Sequence, residues 1–268
     1  MLECVVNISE GRRREVIDSI AHAAGEALLD VHGDVDHNRS VLTLLGTEAP
    51  RAVARRAIEL IDLRRHMGVH PRMGVVDVVP FVALEGSNHQ DALAARDDFA
   101  RWVGNELRIP AFLYSEDGPT LPHLRREAFR SLHPDFGPSM PHPTAGAISV
   151  GARNLLVAYN IWLAEPDMNL ARSIATQLRG PSVRALAIKV GEFAQVSMNL
   201  IDPQHVGPQE VYDIVASQAE IRNAELVGLI PKSVLSNIDP TRWEELDVGP
   251  ERTIEARQPR TNSRRNQN

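Results

Sequence analysis

Apolar and polar positions alternate in a rhythm that changes period several times along the chain. Residues 2–8 read as a strand, residues 10–27 as an amphipathic helix and residues 28–34 as a second strand; after a polar turn, residues 39–47 give a third. A helix beginning near Ala49 places Val53, Ile58, Leu60 and Leu63 at helical spacing and stops at Gly68. Residues 75–84 then read as a buried strand, 90–106 as a helix and 109–115 as a short strand. The pattern returns in the second half: strand at 155–163, helix at 168–179, strands at 183–190 and 194–201, helix at 208–222 and strand at 226–230. Two copies of a split β-α-β layout predict an α/β (α+β) fold of two subdomains, each a mixed sheet of ferredoxin-like type with helices on one face. The open faces need covering, by each other or by a second subunit, and the groove between them is the natural ligand site.

Composition narrows the function classes. With 43% hydrophobic and 24% charged residues the chain reads as globular, and no run reaches the ~20 apolar residues of a membrane span. The first residues enter a strand pattern without a basic leader, so a cytoplasmic location is expected. A net charge of −6 argues against nucleic acid as the main partner, because phosphate binding requires a basic face. Arg252, Arg257, Arg260, Arg264 and Arg265 lie among Gln, Asn, Pro and Ser, a composition that reads as a solvated tail in preference to an RNA-binding arm. The single cysteine, Cys4, sits beside Val5 and Val6 and reads as core packing.

Chemistry concentrates in His66-Met67-Gly68-Val69-His70-Pro71-Arg72-Met73-Gly74-Val75-Val76-Asp77. Pro71 keeps His70 out of the helical region, and Gly68 and Gly74 permit sharp turns on either side. An imidazole on such a loop, near Arg72 and Asp77, suits a general base at neutral pH. His66 reads as a cap on the last turn of its helix. His66, His70 and Asp77 leave a metal-dependent hydrolase open as an alternative, although the intervening glycine and proline break the helix that would align the two imidazoles. The Pro- and Gly-rich stretch 134–146 is either a passive linker or a shaped loop bordering the groove. Asn38 and Arg39 either fix a turn or contact a ligand, and Gln195 and Asn199 share one strand face.

Six strings, in order, resemble the glutamate formimidoyltransferases: residues 3–12 (Glu-Cys-Val-Val-Asn-Ile-Ser-Glu-Gly-Arg), 38–41 (Asn-Arg-Ser-Val), 70–74 (His-Pro-Arg-Met-Gly), 135–138 (Asp-Phe-Gly-Pro), 151–153 (Gly-Ala-Arg) and 195–200 (Gln-Val-Ser-Met-Asn-Leu). The resemblance is to the formimidoyltransferase region that animals fuse to a cyclodeaminase, and no cyclodeaminase portion is present. It implies two α/β subdomains around a folate tunnel, a junction near Asn154, and a homodimer. Subdomains are therefore expected at 1–154 and 155–257, with 258–268 a disordered tail. It also implies transfer of the formimino group of N-formiminoglutamate to tetrahydrofolate, in one-carbon metabolism and histidine degradation, with no metal expected.

By the same correspondence His70 is the catalytic histidine, and Gly137, Pro138, Ser139, Met140, Pro141, His142, Pro143, Thr144, Ala145 and Gly146 form the folate-contacting segment. Arg72 and Arg39 suit a substrate carboxylate, with Asn38 and Asn199 as further contacts, because guanidinium binds carboxylate through two parallel hydrogen bonds. Asp77 or Asp36 is expected to hold the imidazole tautomer or to balance the amidinium charge. The chain departs from the family at Val69, where glutamate is usual, at Met67, where lysine is common, and at His32, where aspartate is common. Residues 120–129 keep Thr-Leu-Pro but lack the flanking Arg-Arg and Gly-Glu. These losses of charge motivate a second alternative, a catalytically weak relative that binds folate or another small ligand.

Overall fold

A computed structural model of the chain describes residues 1–68 and 72–259. The first sheet contains β1 (Leu2–Ile8), β2 (Leu28–Asp34), β3 (Arg39–Leu45), β4 (Val76–Ala83), β5 (Ala111–Tyr114) and β6 (Ile148–Ala152), in the order β2-β3-β1-β4-β6-β5. The first four strands are antiparallel, while β5 and β6 run parallel to β4. Helices α1 (Arg14–His22), α2 (Glu48–Leu60) and α3 (His89–Trp102) cover one face. Val16 and Ile20 of α1, Val53 and Ala57 of α2 and Phe99 of α3 pack there on Cys4, Val6, Leu42, Leu44 and Phe81. Cys4 is fully buried, and burial pushes its thiol well above the usual range, in keeping with core packing rather than nucleophilic chemistry. A short helix, α4 (Leu121–Glu127), lies on the opposite face, where Leu124 packs with Val78, Phe112 and Tyr114.

The second sheet contains β7 (Val157–Leu163), β8 (Val183–Val190), β9 (Phe193–Leu200) and β10 (Ile221–Val227), ordered β10-β7-β9-β8 and antiparallel throughout. Helices α5 (Met168–Leu178) and α6 (Pro208–Ala216) bury Ile174, Ala175, Val211 and Val215 against Tyr159, Ile161, Val196 and Met198. The strand order of this unit repeats that of β1 to β4, so the predicted duplication is present in three dimensions. The first unit adds β5 and β6 at its edge.

Several elements differ from the sequence reading. The helix expected over 208–222 ends at Ala216, and the strand expected at 226–230 starts at Ile221, because the buried side chains of Ala224 and Leu226 follow a strand period of two. Residues 148–152, of which only Gly151 and Ala152 belong to a quoted motif, form β6, parallel to and between β4 and β5.

Register fixes which side chains look into the groove. His32, Val41, Asn7, Val78 and Ser149 form one row across the first sheet. Glu225, Asn160, Ser197 and Leu186 form one row across the second. The rows meet at the β2 and β10 edges, where His32 Nε2 lies 3.1 Å from Glu225 Oε1. Nearby, Leu29, Leu229 and Ile254 close a small apolar cluster with Leu45, Leu84 and Leu155. The other end of the second row is open, with Leu186 61% exposed.

Candidate active site

The end of β1, the start of β3 and the start of β4 converge at one end of the first sheet. Ser9 donates from Oγ to Gly74 O (2.8 Å) and from its backbone N–H to Val75 O (2.8 Å), which ties β1 to the segment ahead of β4. Ser40 Oγ donates to Glu10 O at 2.6 Å. Glu10 accepts the N–H groups of Arg12 and Arg13, each at 2.9 Å; burial alone would raise its pKa, but these bonds prevail and lower it. Gly11 has no room for a side chain, since a Cβ would lie 2.0 Å from Asp34 O and 2.5 Å from Arg39 N.

Asn38 joins three segments. It adopts the left-handed backbone (φ 49°) that asparagine tolerates. Its Oδ1 accepts Gly11 N–H at 2.9 Å, and its Nδ2 donates to Met67 O at 2.9 Å and faces His66 Nδ1 at 3.3 Å. The amide is therefore occupied by the protein and fixes the loop that leads to residue 68. His66 does not cap α2, which stops at Leu60, but is the C-cap of a 3-10 turn at Leu63–Arg65 through its backbone N–H to Leu63 O (3.1 Å); its Nε2 is buried without a partner among the described residues.

Asp77 is 3% exposed. Its Oδ1 accepts the N–H of Met73 at 2.6 Å and its Oδ2 pairs with Arg125 Nη2 at 2.5 Å. Among the described residues this carboxylate holds a backbone turn and a guanidinium. Arg39 and Arg72 lie in its field as well: desolvation lowers Arg39 to about 10, which Asp77 opposes and Arg125 reinforces, and desolvation likewise lowers Arg72 against Asp77. Both stay cationic at neutral pH. Arg72 Nη2 donates to Gly68 O at 2.6 Å. A cleft of about 10 Å³, room for one water, opens between Ser9, Asn38, Arg39, Arg72 and Asp77. His70, Val69 and Pro71 lie outside the described residues.

The segment 137–146 is a shaped loop. Gly137 (φ +86°) and Gly146 (φ +72°) turn its ends, and a Cβ on Gly146 would lie 2.2 Å from Met73 O. His142 Nδ1 accepts the N–H groups of Thr144 (3.3 Å) and Ala145 (3.1 Å). Thr144 O accepts from Leu63 N and Ala145 O from Val75 N, so the loop is clasped to both sides of the His70 segment. Ser139, Met140, Pro141 and Pro143 are exposed along its rim, Met140 at 71%. The two-way reading of this stretch is thereby settled against a passive linker.

The structure does not bring Asn199 to this cluster. Asn199 pairs with Arg184 at the other end of the second sheet. Arg184 lines a cavity of about 670 Å³ with Glu116 and Asn154, which follow the far ends of β5 and β6. Gln195, on the same face of β9, is fully buried, and neither atom of its amide has a partner among the described residues. Asn7 Oδ1 is likewise buried and unpartnered on the facing sheet. Arg125 and Asn7 escaped the sequence reading as site residues. The available signal for Arg125 was Thr120 followed by Pro122, a helix-start pattern that predicts a structured α4.

Among the described residues no helix is long and apolar enough to cross a membrane, and no group of three His, Cys, Asp or Glu could hold a metal ion. A family described as "Formiminotransferase domain, N-terminal subdomain" matches residues 1–153. The chain is 33% identical to a glutamate formimidoyltransferase of Streptococcus pyogenes serotype M1 over 89% of its own length and 91% of that protein. It is 34% identical to a glutamate formimidoyltransferase of Thermoplasma acidophilum over 89% of its length and 90% of that protein. A formimidoyltransferase-cyclodeaminase of Rattus norvegicus is 34% identical over 88% of this chain but only 51% of that longer protein. The chain belongs to the glutamate formimidoyltransferase family.

Proposed function

We propose that the protein transfers the formimino group of N-formiminoglutamate to tetrahydrofolate. The observation that carries this reading is likeness over nearly the full chain to proteins named for that activity, joined to a cationic cluster beside the His70 segment. The groove has features that fit a folate. Its walls present the unpartnered amide of Gln195 and the unpartnered Oδ1 of Asn7, which match a ring bearing both donors and acceptors. The loop of residues 137–146 offers an ordered rim, and its contact with folate is part of the proposal. The subdomains would be 1–154 and 155–257, and the working form a cytoplasmic homodimer; a monomer in sedimentation at micromolar concentration counts against the latter.

Tetrahydrofolate, when bound, supplies the ring nitrogen that accepts the group. His70 takes the proton that this nitrogen loses and delivers it to the departing nitrogen of glutamate, one residue serving as base and then acid, typically worth about 100- to 10,000-fold in rate. Arg39 and Arg72 hold a carboxylate of the substrate. Asn38, through Gly11 and Met67, keeps the loop before His70 in place. The test follows formimino-folate formation by absorbance with calorimetric titration of tetrahydrofolate alongside. His70→Ala is expected to lose at least about 100-fold in kcat while keeping folate affinity. Retained turnover in that variant removes the mechanism.

A further inference from the structure

Asp77 is one negative charge facing three positive ones. Arg125 pairs with it directly, while Arg39 and Arg72 feel it through space. The other carboxylate acting on Arg39, Asp34, is engaged by His37 Nδ1 (3.3 Å) and by the backbone N–H groups of Asp36 and His37. Val69, His70 and Pro71, the neighbours in sequence, bring no acid. A guanidinium cluster with surplus charge, partly withdrawn from water, is built to receive a carboxylate.

Arg125 is held for this task. Its helix is anchored by Leu124, 2% exposed, and by the edge-on contact of Phe129 with Phe112, ring centroids 5.1 Å apart. Its Nε is buried and has no partner among the described residues, so one edge of the guanidinium remains unused. Asp77 Oδ2 is engaged by Arg125, while its field still reaches Arg39 and Arg72. The carboxylates of N-formiminoglutamate lie only a few bonds from the carbon that moves, whereas a p-aminobenzoyl group separates those of folate from the accepting nitrogen. A receptor that includes Arg72, two residues from His70 in sequence, therefore matches the donor.

We propose that Arg125 is the donor-specificity residue, holding a carboxylate of N-formiminoglutamate together with Arg39 and Arg72, with Asp77 setting the guanidinium geometry. The inference rests on the transfer reading above. Its test compares the unaltered protein with Arg125→Met and Arg125→Lys, using N-formiminoglutamate, the shorter N-formiminoglycine, tetrahydrofolate and glutarate. Arg125→Met is expected to raise KM for N-formiminoglutamate about 10- to 100-fold, the scale of one charge-assisted hydrogen bond, with the effect falling on KM more than on kcat. Preference over N-formiminoglycine should shrink, tetrahydrofolate affinity should hold, and Arg125→Lys, which also controls for folding, should recover part of the loss. An unchanged donor KM, or an equal loss of tetrahydrofolate affinity, overturns the assignment. Glutarate binding by calorimetry needs no turnover. If the unaltered protein transfers nothing yet binds glutarate, and Arg125→Met does not, the carboxylate receptor stands and the reaction falls; glutarate bound equally by both overturns the receptor.

Discussion

Replacing Glu225 by glutamine removes the charge that links the two sheets across the groove. Glu225 Oε1 faces His32 Nε2 at 3.1 Å, and Oε2 accepts Asn160 Nδ2 at 3.0 Å and Trp162 Nε1 at 3.2 Å. Burial taken alone would raise this carboxyl, but the bonds from His32, Asn160 and Trp162 outweigh it and hold the group at about 2, against a usual 4.5. At 1.36 kcal/mol per pH unit that gap is worth roughly 3 kcal/mol. The side chain is 24% exposed, so solvent screening reduces the figure to about 2 kcal/mol. A depressed acid contributes its full stabilisation above the unfolded value and loses it as pH falls from 4.5 towards 2. Glu225→Gln should therefore lower stability by about 2 kcal/mol at pH 7 in urea unfolding, and the difference should shrink to under half by pH 3. A deficit of the same size at both pH values would show that packing, not charge, was lost. No deficit at pH 7 would refute the account outright.

Gly11→Ala should lower Tm by roughly 5–10 °C, because both atoms in the way, Asp34 O and Arg39 N, are backbone and cannot swing aside; a shift under about 1 °C by calorimetry would contradict the close approach. Glu3 is 4% exposed, and burial, opposed in part by Arg153, pushes its carboxyl up to about 7. Such a raised acid costs stability progressively as pH climbs from 4.5 through 7, so Glu3→Gln should match the parent at pH 4 and exceed it by about 3 kcal/mol at pH 8 in urea unfolding. The opposite ranking at pH 8 would show that Glu3 is held ionised.

Periodicity exposed the duplicated unit through those of its strands and helices that have one buried face, because burial of one face is what writes a period of two or 3.6 into a sequence. The strand at 183–190 coincides with β8 for this reason. Where an element is short or buried on both sides the signal fades. Ile148 to Ala152 are all buried, so β6 shows no alternation, and Ile221 and Ala224 continue the spacing of α6 closely enough to pass for helix. The loop at 134–146 was ambiguous because its order comes from His142 bonding its own backbone and from strands brought alongside by the fold, neither of which composition records.

The site divides along the same line. Gly74 was legible as a special position but not for its reason: a Cβ there would lie 2.1 Å from Ala147 O, a contact made by convergence and not by a local turn. His32 illustrates the point, since read along the chain it is a lost carboxylate beside the reaction, whereas in space it faces Glu225, where an aspartate would set two carboxylates against each other. The departure at His32 therefore bears on how the two sheets join. The charge of the candidate site is assembled by Arg39 from β3, Arg72 from the loop before β4 and Arg125 from α4, three elements that only folding brings around Asp77. No spacing rule connects them, and a stretch that looked like a weakened family motif at 120–129 supplies the third guanidinium. The balance at Asp77 thus favours a site that gains anion affinity from Arg125 over one that has simply lost charge at Met67 and Val69.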